Sequence, residues 1–423
     1  MPTVFTAWLA RVMRNPDANR YYVLKPLRRE LASRNSVADM IRDSDTLTAL
    51  SGNIARFVRE RLIPNEAMVA ETDAIPPAII GEMKALGLFG LCIPEEYGGL
   101  GLTMEEEVCV AFELGRTSPA FRSLFGTNNG IGSQGIVIDG TPEQKSRYLP
   151  RLASGELVAS FALTEPGSGS DAASLATTAL RQGDCYVLNG TKRYITNAPE
   201  AGIFTVMART DPGDKGPRGI SAFIVERDSP GLSLGKVDKK MGQRGAHTCD
   251  VILEDCRVPA GQLIGGREGV GFKTAMKVLD KGRLHIAAVC VGVAERMLDD
   301  ALAYALERRQ FGQPIAEFQL VQAMLADSKT EIYAARSMVV DAARKRDEGR
   351  DVGTEAACSK LFASEMCGRV ADRAVQIHGG AGYISDYAIE RFYRDVRLFR
   401  IYEGTSQIQQ LVIARNMIRE ARR

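Results

Sequence analysis

The sequence predicts an α+β multidomain chain in three parts: a helical N-terminal domain, a middle β-barrel or β-sandwich domain, and a C-terminal four-helix bundle. Three observations carry this expectation. The chain has 423 residues, more than one simple core accommodates at roughly 100–200 residues per domain. Apolar residues recur at helical spacing towards both ends. Between Ser160 and Gly266 the texture changes to short alternating runs, separated by Gly, Pro, Asp and Asn.

Composition removes several classes. With 45% apolar and 25% charged residues the chain is of ordinary globular make-up. A net charge of +2 gives no bulk attraction to nucleic acid. No apolar run reaches roughly 18 residues, so no membrane-spanning helix is expected. The eight cysteines form no CxxC pair, which argues against a metal site or redox dithiol and suits a reducing compartment.

Residues 1–46 form a basic N-terminal extension. Asp17, Glu30, Pro2 and Pro16 interrupt it, whereas organelle leaders are poor in acidic residues. A cytoplasmic protein is therefore expected, with the mitochondrial matrix as the alternative if the segment is a leader. Residues 47–159 read as helical. A helix over 56–62 precedes Pro64, one over 77–88 stops near Gly90, and one runs over 104–116. Pro142 suits a first helical turn capped by Thr141, with Glu143 nearby. Residues 160–270 form the β domain, with strands at 185–188, 194–195, 203–207 and 221–225. Asn189-Gly190 predicts a hairpin turn between two of them. Residues 271–423 hold four long helices, at 272–309, 318–345, 352–377 and 406–422, and short connections make them a bundle.

Five segments carry candidate chemistry. In IYEGTSQIQQL (401–411), Glu403 follows Tyr402 and precedes a helix that Thr405 or Ser406 can cap. A carboxylate at an apolar approach is a candidate base with a raised pKa, yet a helix N-terminus also favours an acidic residue without any chemistry. FALTEPGSGSDAAS (161–174) runs from a strand into glycines and serines whose backbone N–H groups can approach a ligand. A polar surface turn has the same composition, and no Gly-Lys-Ser/Thr follows to make a phosphate loop. In GTKRYITNA (190–198), Tyr194 and Thr196 alternate onto one strand face, to meet a flat heterocycle or a neighbouring strand. ERRQFG (307–312) offers Arg308, Arg309 and Phe311 to an anion and a planar group, or is a solvated helix end. QIHGGAGY (376–383) stops a helix with exposed glycine backbone. No serine or cysteine nucleophile stands in a spacing that would recruit His247, His285 or His378, so all three are taken as structural.

Together, in this order and spacing, these segments resemble the acyl-CoA dehydrogenase family from about residue 50 to residue 419. The resemblance implies FAD held without a covalent bond, an acyl-CoA substrate, and a homotetramer built as a dimer of dimers. It implies α,β-dehydrogenation to a trans-2-enoyl-CoA, with Glu403 as base and electrons passed to an electron-transfer flavoprotein. Phe161, Leu163, Thr164, Gly169, Ser170, Tyr194, Ile195 and Thr196 match positions around the flavin ring. Many members carry Trp where this chain has Tyr194, and either ring can stack. Arg308, Gln310, Phe311, Gln319, Gln376 and Gly380 match positions that reach the adenine and pyrophosphate of FAD in a neighbouring subunit. Thr405 and Gln407 complete the cofactor positions; Ser170 and Tyr402 match substrate positions, Asp280 and Arg283 match positions near the CoA and thioester end, and Gly404 matches the turn that passes the substrate. Some relatives place the base just before the arginine that is Arg283 here, where this chain has Gly282. The Arg122-Ser123 pair resembles one in glutaryl-CoA dehydrogenases, whose arginine pairs with the substrate's far carboxylate. A polar-ended acyl group is then expected, against an arginine turned to solvent or paired within the protein. The same fold also hosts acyl-CoA oxidases, non-redox lyases and flavin-binding modules, so these remain alternatives.

Overall fold

The structure is a computed structural model that describes residues 42–422, so most of the N-terminal extension, and with it the alternative reading as a leader, lies outside the described residues. The first helix, α1 (Ser44–Phe57), starts where the Asp43 side chain accepts from the N–H groups of Asp45 and Thr46. The chain does not break before Pro64. It winds on through a π turn (Val58–Leu62) and a 3-10 turn (Ile63–Asn65), in which Pro64 lacks only a donor that a first turn leaves unused. Short helices follow: α2 (Glu66–Thr72), α3 (Pro77–Ala85), α4 (Met104–Leu114), α5 (Pro119–Thr127), α6 (Gln134–Asp139) and α7 (Pro142–Ala153). Helices α4 and α7 both open with reciprocal capping boxes, Thr103 with Glu106 and Thr141 with Gln144.

The middle region is one seven-stranded sheet. Its strands are β1 (Ala159–Ala162), β2 (Thr178–Gln182), β3 (Cys185–Thr196), β4 (Ile203–Arg209), β5 (Ile220–Glu226), β6 (Leu232–Leu234) and β7 (Thr248–Pro259). They run in the order β1-β4-β2-β3-β7-β6, with β5 also paired to β4. The expected hairpin at Asn189-Gly190 is not there. That turn lies at Gly183-Asp184, between Gln182 and its partner Cys185, where Gly183 takes a φ of 64°. Asn189-Gly190 lies inside β3, where pairing with β7 slips between Leu188 and Gly190. A Cβ on Gly190 would come within 2.4 Å of Thr177 Oγ1, so this glycine marks a bulge and a close approach, not a turn.

The C-terminal region contains α8 (Gly271–Glu307), a two-residue hairpin pair β8 (Arg309–Gln310) and β9 (Gln313–Pro314), α9 (Gln319–Asp347), α10 (Gly353–His378), the short α11 (Ile389–Val396) and α12 (Ser406–Ala421). The bundle is not self-contained. Met104, Val108, Ala111 and Phe112 of α4 lie in the same buried cluster as α8, α9 and α10. Burying each larger side chain contributes about 1.5–3 kcal/mol, which ties the N-terminal helices to the bundle. Among the described residues no helix is long and apolar enough to cross a membrane, and all eight cysteines are unpaired. The sheet, α5, the N-terminal half of α8 and the turn before α12 converge on one cavity.

Candidate active site

The cavity has a volume of about 530 Å³, within the usual range for a small-molecule site. It has a strand wall and a helical wall.

The strand wall is Phe161, Leu163 and Thr164 at the end of β1, Gly169 and Ser170 in the following loop, and Tyr194, Ile195 and Thr196 of β3. Strict alternation would have pointed Ile195 away from its neighbours. Instead the pairing of β3 with β7 slips between Lys192 and Ile195, and Tyr194 takes a left-handed φ of 58°. All three consecutive residues therefore reach the cavity. The loop is braced from behind. Glu165 accepts from the N–H of Ala176 at 2.6 Å and of Thr177 at 3.0 Å, and from Lys192 Nζ at 2.7 Å. Lys192 is wholly enclosed, and burial pushes its ammonium down to about 8 against the pull of Glu165. These bonds satisfy Glu165 and fix the loop to β3.

In front of that brace the wall is open. A side chain built on Gly169 would meet nothing within 4 Å, and Tyr194 is 61% exposed with the Arg193 guanidinium 4.9 Å from its ring. The hydroxyls of Thr164 and Ser170 make no hydrogen bond to the described residues. An exposed aromatic ring, open glycine backbone and unused hydroxyls fit a flat ring with polar edges, as the flavin expected from the resemblance has.

The helical wall is different in kind. Phe272, Met276, Leu279 and Arg283 line it from one face of α8, and Arg122, Ser123 and Thr127 line it from α5. Tyr402, Glu403 and Gly404 form its rim. Glu403 adopts a left-handed φ of 51° and Gly404 one of 89°. For a residue with a Cβ this conformation costs about 1–2 kcal/mol. Three hydrogen bonds hold it. Gln409 Nε2 donates to the carbonyls of Glu403 at 3.1 Å and Gly404 at 3.0 Å, and the buried Lys360 Nζ donates to the Gly404 carbonyl at 2.7 Å. The φ of Gly404 favours glycine, and a Cβ there would sit 2.6 Å from Gln409 Nε2 and displace the amide that holds the turn.

The turn aims the Glu403 carboxyl at α8. Its Oε2 is enclosed and has no hydrogen-bond partner. The residue as a whole is partly exposed, and it lines the cavity. Burial raises its pKa above the ordinary carboxylate value, and the charges of Arg122, Lys360 and Arg283 do not cancel that rise. A Cβ on Gly282 would lie 2.2 Å from Glu403 Oε2. A side chain at 282 and this carboxyl cannot share the space, which gives a steric basis to the choice between the two base positions.

Arg122 does not face bulk solvent. It is buried, lines the cavity, and its Nε donates to His285 Nε2 at 2.9 Å. Among the described residues it makes no ion pair. Arg283 also lines the cavity and pairs with Asp280 at 2.5 Å. Asp280 itself does not line the cavity and reaches it only through Arg283.

The remaining candidates lie elsewhere. Thr405 caps α12 by accepting from the Ile408 N–H at 3.2 Å, Gln407 is exposed, and neither lines the cavity. Arg308, Gln310, Phe311, Gln319, Gln376 and Gly380 are all exposed, Phe311 to 93%. Tyr304 stacks on His378 at 4.4 Å, so the C-terminal ends of α8 and α10, next to Arg308 and Gly380, meet at one end of the bundle. Within one chain that surface and the cavity are separate. The cavity also takes in residues that motif reading missed, among them Lys240, Gln243, Leu411 and Arg415. The i, i+4, i+7, i+11 spacing of the α8 lining residues was a signal in plain view, whereas Lys240 and Gln243 sit in an irregular segment with none. Among the described residues no cluster of His, Cys, Asp and Glu is arranged to hold a metal ion.

Comparison with known proteins identifies the family. Family models match the acyl-CoA dehydrogenase N-terminal domain over residues 44–156, the middle domain over 160–256 and the C-terminal domain over 269–418. An acyl-CoA dehydrogenase of Bacillus subtilis is 42% identical, over 86% of this chain and 95% of its own. The caffeyl-CoA reductase-Etf complex subunit CarC of Acetobacterium woodii is 43% identical, over 87% and 97%. The structure of butyryl-CoA dehydrogenase from Megasphaera elsdenii superposes with a TM-score of 0.85 at 35% identity, covering 91% of this chain and all of that one. The chain belongs to the acyl-CoA dehydrogenase family, FAD-dependent oxidoreductases that act on CH–CH bonds.

Proposed function

We propose that this enzyme dehydrogenates an acyl-CoA thioester to the trans-2-enoyl-CoA, with Glu403 as the base that takes the α-proton. The observation that carries this is the enclosed, unpartnered Oε2 of Glu403 on a strained turn facing the cavity. Bound FAD supplies the acceptor for the β-hydride. The chain supplies the rest. The strand wall holds the ring, with Phe161, Leu163, Thr164, Gly169, Ser170 and Tyr194–Thr196 around it. The Glu403 N–H has no acceptor among the described residues, and in this reading it donates to the thioester carbonyl and stabilises enolate-like charge. Tyr402, Gly404, Ser170 and Arg283, steadied by Asp280, line the thioester end. An acyl chain filling the cavity excludes water and keeps the carboxylate basic.

The exposed bundle end suits a partner subunit's FAD. In a homotetramer Arg308, Gln310, Phe311, Gln319, Gln376 and Gly380 would face the adenine and pyrophosphate, with Thr405 and Gln407 nearby. The name of the Acetobacterium relative supports an electron-transfer flavoprotein as partner. It equally supports the reverse direction, in which protonated Glu403 delivers the α-proton to an enoyl-CoA. Bacterial relatives and unpaired thiols suit a cytoplasmic setting.

For the substrate we favour an acyl group with a distal carboxylate. A buried guanidinium on the cavity wall, bonded only to a histidine, is costly unless an anion completes it. Turnover of glutaryl-CoA and octanoyl-CoA, with a dye acceptor and with oxygen, tests both points. Preference for glutaryl-CoA that Arg122→Ala abolishes supports the reading. An Arg122→Ala enzyme with unaltered preference removes it, and oxygen serving as well as the dye indicates an oxidase.

A further inference from the structure

His285 and Glu107 lie behind the helical wall, and neither lines the cavity. Both are buried. Glu107 Oε1 takes a hydrogen bond from His285 Nδ1 at 2.7 Å, and Arg122 Nε lies 2.9 Å from His285 Nε2. The chemistry fixes every proton in this chain. A guanidinium only donates and a carboxylate only accepts, so His285 must carry its proton on Nδ1 and accept on Nε2. Burial, and then the charge of Arg122, hold His285 below the ordinary imidazole value, which keeps it in this neutral form. Lys281 Nζ sits 3.1 Å from Glu107 Oε2 as an ion pair. Burial opposes ionisation of Glu107, but Lys281 and His285 outweigh it and keep the carboxylate charged.

The result is directional. Arg122 is held through Nε alone, and its two terminal nitrogens make no hydrogen bond to the described residues. Gly126 lets the guanidinium lie close along α5, since a Cβ there would come 2.3 Å from Arg122 Nε. A guanidinium pinned at Nε with both terminal nitrogens unused presents a two-pronged edge, the geometry that a carboxylate accepts.

We propose that His285, backed by Glu107, is a positioning residue that aims the Arg122 fork into the cavity and thereby sets selectivity for an acyl-CoA with a distal carboxylate. This rests on the reading of Arg122 given above. His285 touches neither substrate nor cofactor and acts through Arg122.

Two neutral amides separate its two hydrogen bonds. Gln at 285 can place an acceptor where Nε2 stands, while Asn reaches only the Nδ1 position and leaves Arg122 Nε without a partner. In FAD-loaded enzyme, the ratio of kcat/KM for glutaryl-CoA over octanoyl-CoA falls about ten-fold or more in His285→Asn and stays within about three-fold of wild type in His285→Gln. The loss appears in KM for glutaryl-CoA and not in kcat. Calorimetric binding of glutaryl-CoA follows the same order. Equal ratios in wild type, His285→Asn and His285→Gln, with Arg122→Ala lowering the ratio, overturn the proposal and leave the Arg122 reading intact. An unaltered ratio in Arg122→Ala overturns both. If His285→Asn does not fold, His285→Leu takes its place, since it also leaves Arg122 Nε without an acceptor: it must lower the ratio, and an unchanged ratio overturns the proposal.

Discussion

On the strand wall of the cavity, buried charge is neutralised: Lys192 meets Glu165, and the other contacts of Glu165 are backbone N–H groups. On the helical wall the opposite holds. Glu403 Oε2 and Arg283 Nε are buried without a hydrogen-bond partner, and the terminal nitrogens of Arg122 are unused. Both walls bury ionisable groups, and the helical wall leaves polar atoms of Glu403, Arg283 and Arg122 unused even though Arg283 pairs with Asp280 through another nitrogen. A satisfied network fixes geometry, whereas an unsatisfied polar atom stores a demand that a ligand can meet. The strand wall is therefore a rigid platform, and the helical wall is where a substrate completes the structure.

Changes on the two walls should differ in kind. The largest effect is expected for Glu403→Gln, which keeps the shape and removes the base. Turnover should fall by about 10²–10⁴ while bound flavin is retained; loss of flavin with it would make Glu403 part of the platform. Next comes Lys192→Met. It strands Glu165 as an uncompensated charge and should cost about 3–5 kcal/mol of stability, read by denaturant unfolding, with flavin affinity lost alongside. Full stability in that variant would break the contrast between the walls. Smaller is Gly282→Ala. Its Cβ, 2.2 Å from Glu403 Oε2, must displace the carboxyl, and kcat should fall by about ten-fold or more without loss of flavin.

The smallest effect is in stability against pH. Burial raises the pKa of Glu403 in the folded chain, so the fold disfavours the ionised form. Below the unfolded carboxylate value both states are protonated and the group costs nothing. As pH rises through the folded value, that stability is lost. Glu403→Gln should thus melt slightly higher than wild type at neutral pH, with the gain vanishing towards pH about 4. A variant that melts lower at neutral pH would show that the carboxylate is satisfied after all.

Much of this was legible in the sequence because it is local. Thr141 caps α7 through contacts three residues away, and Tyr402-Glu403-Gly404 sits just before the helix that Thr405 caps. The platform motifs are also contiguous runs. What failed was local chemistry overridden by neighbours. Asn189-Gly190 has the composition of a hairpin turn, but Thr177 crossing beside Gly190 makes it a bulge. Alternation would have put only Tyr194 and Thr196 on one face, but a second register slip and the left-handed φ of Tyr194 bring Ile195 to the cavity beside them. What was invisible is long-range pairing. His285 reads as structural in the sequence because no nucleophile stands near it, while its partners are 163 and 178 residues away. Lys360, which holds the Gly404 carbonyl, looks like any lysine on a helix until the fold buries it.

The central claim is that Glu403 is the base of an α,β-dehydrogenation. Anaerobic titration with acyl-CoAs, following the flavin band near about 450 nm in wild type and Glu403→Gln, tests it most directly. The account predicts bleaching in wild type and a yellow, unbleached variant that still binds the ligand. Equal bleaching in both, or none in wild type with FAD bound, would contradict it.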